Sequence, residues 1–131
     1  MIQLKAIPRK NPVDKTVKFY ATVANVQPMK TYDFIERIVD ECTLTRSDVL
    51  GCLAALERHI GAALRNGESV RFGDLGSFRI TVSSEPADNK QSVYASNVKS
   101  VKVRFTPSTR LRWGVNPKNP DVQLKVIDEE E

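Results

Sequence analysis

The chain has 131 residues, 40% hydrophobic and 27% charged, with 20 Lys and Arg against 16 Asp and Glu. That length suits one domain with its own core, and ordinary apolar content at a net charge of only +4 argues against a disordered chain. No window approaches the about 20 apolar residues of a membrane helix, and residues 1–20 contain no apolar leader core, so a cytoplasmic protein without a secretory leader is expected.

Taken in chain order, the first pattern is an alternation over Lys15 to Val23. Val17, Phe19, Ala21 and Val23 share one face, and Lys18, Tyr20 and Thr22 the other, which predicts a strand. Pro8, Pro12 and Pro28 bound it, and Ile2 to Ile7 is expected to form a short edge strand before it. Thr31 then caps a helix from Tyr32 to about Cys42, whose apolar stripe is Phe34, Ile35, Ile38 and Val39. Thr45 with Asp48 three residues on is a capping-box signal for a second helix, running to about Asn66 and ended by Gly67. Its stripe is Val49, Leu53, Leu56, Ile60, Ala63 and Leu64.

From Glu68 the period changes to two. Val70 and Phe72 flank Arg71, Gly73-Asp74-Leu75-Gly76 makes a turn, and Phe78, Ile80 and Val82 oppose Arg79, Thr81 and Ser83. The polar stretch Ser84 to Ser96 reads as a hairpin tip or flexible ribbon. The return strand sets Val101, Val103 and Phe105 against Lys102 and Arg104. Pro107-Ser108 opens a short helix holding Leu111 and Val115, and Val122 to Ile127 is expected to form one more strand before the acidic end, Asp128 to Glu131. The two terminal strands cannot stand alone in water and should pair, with each other or with the sheet edge.

Catalytic chemistry has little material. A single histidine, His59, falls inside a predicted helix, and Cys42 and Cys52 lack metal-ligand spacing and read as buried or half-buried free thiols. No phosphate-binding glycine loop is present. No catalytic residue, metal, cofactor or small-molecule substrate is expected. Charge is more informative: Lys90, Lys99, Lys102, Arg104, Arg110, Arg112 and Lys118 fall between Asn89 and Pro120 without one acid. A one-sided stretch of this kind suits a polyanion, because neutralised phosphates release condensed counterions.

The order of elements resembles the HU/IHF family of histone-like bacterial DNA-binding proteins. Asn66-Gly67-Glu68-Ser69-Val70-Arg71-Phe72 is similar to that family's helix exit and first strand. Leu75-Gly76-Ser77-Phe78 resembles its Phe-Gly-Thr-Phe turn, and Phe105-Thr106-Pro107-Ser108 with Leu111 and Val115-Asn116 resembles its C-terminal helix. The resemblance spans about residues 30–116, and the added terminal segments are similar to an HU-related subgroup with an N-terminal extension. It implies an α+β fold: two N-terminal helices, an antiparallel sheet with a β-ribbon arm, a short C-terminal helix, and extra terminal strands. It also implies an intertwined homodimer gripping double-stranded DNA in the bacterial nucleoid. The expected layout is an extension over 1–30, an HU-like domain over 31–116 and a C-terminal strand with acidic tail over 117–131, in one globular unit.

On this basis Arg71, Arg79, Lys90, Lys99, Lys102, Arg104, Arg110 and Arg112 are the candidate DNA contacts. Val49, Leu53, Leu56, Ile60, Leu64, Phe72 and Phe78 are the candidate dimer interface. The arm departs from the family, which carries an Arg-rich arm with an Arg-Asn-Pro tip. Here Lys90 and Lys99 are balanced by Glu85 and Asp88, and Pro86 sits beside an acid, which suits a DNA wedge poorly. Two functions therefore stay open: an architectural, largely sequence-independent DNA-binding dimer, and an HU-fold protein-interaction module that has lost DNA bending.

Overall fold

The computed structural model describes residues 1–127; the acidic end, expected to be mobile, lies outside the described residues. In chain order the elements are β1 (Ile2–Lys10), β2 (Val17–Val23), α1 (Thr31–Glu41), α2 (Arg46–Arg65), β3 (Val70–Arg71), β4 (Gly76–Ser84), β5 (Val98–Pro107), α3 (Thr109–Trp113) and β6 (Leu124–Val126). They form two compact units, one of residues 31–112 and one of residues 1–30 with the segment from Trp113 onward. No helix among the described residues is long and apolar enough to cross a membrane.

In the first of these units α2 is fixed at both ends by its own sequence. The Thr45 hydroxyl accepts from the Asp48 amide at 3.2 Å, and the Asp48 carboxylate accepts from the Thr45 amide at 3.0 Å. These two bonds, the backbone one foremost, hold the Asp48 carboxyl below its ordinary pKa. At the other end Gly67 takes φ 79°, and the amides of Gly67 and Glu68 close on the carbonyls of Leu64 and Ala63. Only a residue without Cβ adopts that conformation freely, so the chain turns here. Helix α1 begins at Thr31 itself, buries Ile35, and meets α2 through a Glu36–Arg46 ion pair, with Arg46 also over the Tyr32 ring at 5.0 Å.

Burial inside the chain is sparse. Ile35, Val49 and Leu64 are its buried apolar residues in this unit, whereas Leu53 and Leu56 in the middle of α2 stay 37% and 41% exposed. Cys42 and Cys52, expected at least half-buried, are exposed free thiols, and His59 is exposed on α2.

The sheet has the order β3-β4-β5, all antiparallel. Phe72 meets Phe78 edge-on at 6.2 Å, and Phe78 meets Phe105 at 5.0 Å. Gly76 starts β4 against this cluster at φ 149°; a Cβ there would lie 2.4 Å from the Thr106 carbonyl and 2.8 Å from the Phe105 ring. Beyond the sheet, the stretch expected to be a hairpin tip or ribbon is shaped by local turns. The Asn89 carboxamide accepts from the Ser92 amide and hydroxyl, and Asn97 accepts from the Tyr94 amide, each closing a 3₁₀ turn. Helix α3 is shorter than expected: Ser108 caps it through the Leu111 amide, and Val115 falls outside it, exposed.

The second unit is a three-stranded sheet of order β2-β1-β6. The first strand is longer than Ile2 to Ile7 and is central rather than an edge: it pairs antiparallel with all of β2 and parallel with β6 over Ile2 to Leu4. The Gln3 carbonyl accepts from Ala24 and the Thr16 carbonyl from Asn11, so odd-numbered residues of β1 take the hydrogen-bonded pairs. Pro8 therefore turns its missing N–H to the open edge past β6, where no bond is lost. The β1–β2 turn is held by Asn11 and Asp14, with Lys15 at φ 58°. Thr16 donates to the Asp14 carboxylate from both hydroxyl and amide, and the hydroxyl foremost keeps that carboxyl below its ordinary pKa.

Candidate nucleic-acid interface

The pairing register of β3, β4 and β5 sorts their residues onto two faces, because directly paired residues point the same way and neighbours along a strand point oppositely. Val70 pairs with Phe78, Phe78 with Phe105, Ile80 with Val103 and Val82 with Val101, which gives one wholly apolar face. On the other, Arg71 pairs with Ser77, Arg79 with Arg104, Thr81 with Lys102 and Ser83 with Ser100. Four of the eight candidate contacts thus lie on one face of one sheet. Residues not singled out from the sequence complete it: Ser77, Thr81, Ser83, Ser100 and Thr106 set hydroxyls between the bases. The same alternation carried that signal.

The electrostatics of this face are one-sided. No acid occurs at any of its strand positions, and none of its four bases has a carboxylate partner among the described residues. Arg79 stands directly opposite Arg104. Like charges at paired positions destabilise a sheet unless an anion lies over them. Near Arg71 a pocket of about 290 Å³ is lined by Ser77, Thr106 and Ser108 and floored by Gly76, with room for a phosphate oxygen among hydroxyl donors.

The other four candidates lie elsewhere. Lys99 is the extra residue of a β-bulge, since Ser83 pairs with Ser100 but Ser84 with Val98, and it forms an ion pair with Glu85 at 3.1 Å. The bulge keeps Val98 on the apolar side. Lys90 sits in the first 3₁₀ turn of the arm tip. Arg110 is paired with Asp74 at 3.3 Å, so the acid of the 73–76 turn is covered, and Arg112 donates to the Pro107 carbonyl.

Of the candidate interface residues, Val49 and Leu64 are buried within the chain and Phe72 and Phe78 belong to its ring cluster. Leu53, Leu56 and, to a lesser degree, Ile60 remain accessible. Among the described residues no three His, Cys, Asp or Glu side chains cluster as metal ligands.

Comparison with known proteins agrees with this architecture. No curated protein matches the chain significantly. A crystal structure of a candidate bacterial DNA-binding protein from Bacteroides vulgatus superposes with a TM-score of 0.65 at 17% identity, over 96% of this chain and 48% of that one. The present chain therefore spans about half the length of that protein. A point variant of HU from Thermotoga maritima aligns with a TM-score of 0.49 at 22% identity, over 67% of this chain and all of that one. A family model described as an HU domain fused to a winged helix-turn-helix, immunoglobulin or glycine-rich motif matches residues 2–118, taking in the N-terminal strands as well as the helices and arm. The chain belongs to this HU-HIG family and has its HU-like α+β fold.

Proposed function

We propose that this chain binds double-stranded DNA as an architectural protein of the bacterial nucleoid, through phosphate contacts on the β3-β4-β5 face. The observation that carries this reading is Arg79 opposite Arg104 in a face of four bases, five hydroxyls and no acid. Such a surface is stabilised by a polyanion and holds it without reading base edges. The neighbour from Bacteroides vulgatus, itself a candidate DNA-binding protein, is consistent with it.

A second copy of the chain completes the unit. Leu50, Leu53 and Leu56 on α2, and Val82, Val101 and Val103 on the apolar sheet face, stay 37–61% exposed in one chain. An exposed apolar surface of that extent is covered by association, and a pairing of two copies doubles the basic face. The arm contributes less, because Lys99 is neutralised by Glu85 and the tip is closed on itself by asparagine caps. The alternative, a protein-interaction module, draws on the same neutral tip, where Val93 and Tyr94 are more than half exposed.

Titrating a labelled duplex with the full chain at two salt concentrations tests the proposal. Binding should be similar for unrelated sequences and fall steeply with salt, by a log–log slope of about 0.9 per phosphate contacted. No retardation of duplex DNA at low salt would falsify it.

A further inference from the structure

The terminal sheet repeats the charge arrangement of the first. Its register pairs Leu4 with Val23, Ala6 with Ala21, Pro8 with Phe19 and Ile2 with Leu124, so those residues make an apolar face. The opposite face carries Lys5 beside Thr22, Ile7 beside Tyr20, Arg9 beside Lys18, and Gln3 beside Lys125. No strand position on that face holds an acid. Arg9, Lys18 and Lys125 are exposed and have no carboxylate partner among the described residues.

Arg9 and Lys18 form a hydrogen-bonded pair, which sets their Cα atoms about 5.5 Å apart. Two cations so placed repel each other, and an anion held over both relieves the repulsion. Arg9 also lies over the Tyr20 ring at 5.7 Å, which fixes its guanidinium on the face rather than leaving it to sweep solvent. Where the hairpin turns, Arg9, Lys10 and Lys18 line a pocket of about 330 Å³ with Asn11, Thr16 and Tyr20. The nearest acid in the turn, Asp14, is held by Thr16. Cations and hydroxyl donors around an acid-free hollow are the groups that phosphate oxygens accept from.

We propose that this face of the terminal sheet is a second contact surface for the phosphate backbone of duplex DNA, with Arg9, Lys18 and Lys125 as its cations. It rests on duplex DNA being the partner of the first face. The chemistry favours a nucleic acid over an anionic membrane: the apolar residues lie on the far side of the sheet, so none flanks the cations to enter a bilayer, as membrane-surface elements require.

The test uses the full chain and an Arg9→Gln/Lys18→Gln variant, with anisotropy of a labelled duplex over a salt series, thermal unfolding, and co-sedimentation with anionic phospholipid vesicles. The variant should bind several-fold more weakly at low salt, with the salt slope reduced by about 1 for each side chain removed. Its melting temperature should equal or exceed that of the unaltered chain, since a repulsive pair has been removed. That opposition of sign is what a merely structural role would not give. Unchanged affinity and slope would overturn the second surface and leave the first standing. A lowered melting temperature accompanying weaker binding would also overturn it. So would loss of vesicle binding with duplex binding intact. Absence of duplex binding by the unaltered chain would remove both surfaces together.

Discussion

The root and the tip of the β4–β5 ribbon are built on opposite electrostatic plans. At the root, Arg71, Arg79, Lys102 and Arg104 crowd one face with hydroxyls between them and no acid, and Arg79 faces Arg104. At the tip, Glu85 takes Lys99, Asp88 faces no excess of bases, and Asn89 and Asn97 satisfy the local backbone. The root has charge with nothing to neutralise it, whereas the tip is already satisfied. A ribbon of this kind holds a polyanion where it leaves the body of the unit, and its end adds little.

The sharpest way to break this contrast is to reverse charge at the root. Arg79→Glu with Arg104→Glu should reduce duplex affinity by at least about 100-fold at low salt while leaving the circular dichroism spectrum unchanged, because both side chains are exposed. Next in size, Leu56→Asp on α2 places a charge where a second copy should pack. It should convert a dimer to a monomer or unfold it, costing about 3 kcal/mol or more. Sedimentation that found the unaltered chain as a folded monomer at micromolar concentration would remove the doubling of the root face. Replacing the tip from Pro86 to Gln91 by a short glycine-containing turn should change affinity by no more than a few-fold. If it removed binding and the Arg79/Arg104 change did not, root and tip would exchange roles. Smaller still, Glu85→Gln should free Lys99 and tighten binding slightly at low salt, an effect lost as salt is raised.

A change remote from both regions should leave the contrast intact. Thr45→Ala removes one half of the α2 cap and should cost about 1 kcal/mol of stability without altering affinity. The other half is pH-dependent. The Asp48 pKa is depressed in the folded chain, so its contribution is present above the unfolded value of about 3.9 and is lost as pH falls through the lower folded value. Asp48→Asn should therefore be less stable than the unaltered chain near neutrality, and the difference should close in acid.

Much of this was legible from residue order because the signals are local. Thr45 with Asp48, Gly67 at the end of α2, and strict alternation along β4 and β5 each specify an element within a few residues. Alternation also placed Arg71, Arg79, Lys102 and Arg104 outward together. What escaped depends on partners distant in sequence or on bonds without periodicity. Pro8 and Pro12 read as strand boundaries, yet β1 runs to Lys10 because the edge beside Pro8 is open. Charge counting made Lys99 and Arg110 equal to the others, although a bulge turns Lys99 to Glu85 and the fold brings Asp74 to Arg110. The tip lacked any periodic signal, since side-chain-to-backbone caps from Asn89 and Asn97 shape it. Cys42 and Cys52 were expected inside on composition alone, and in a single chain they are outside.

The pairing of β1 with β6 has a consequence for how the chain is made. Ile2, Gln3 and Leu4 lie beside Leu124, Lys125 and Val126, so the sheet is incomplete until nearly the whole described chain has left the ribosome. The β1–β2 hairpin emerges first, with Phe19, Val17 and Val23 uncovered, and must wait while residues 31–112 are synthesised and fold. Contacts that close over so long a separation form late, and a waiting strand edge is open to pairing with other chains. The nascent protein is therefore most exposed to misassembly at its beginning, and Pro8, which cannot donate along the open edge of β1, stands where it blocks such pairing.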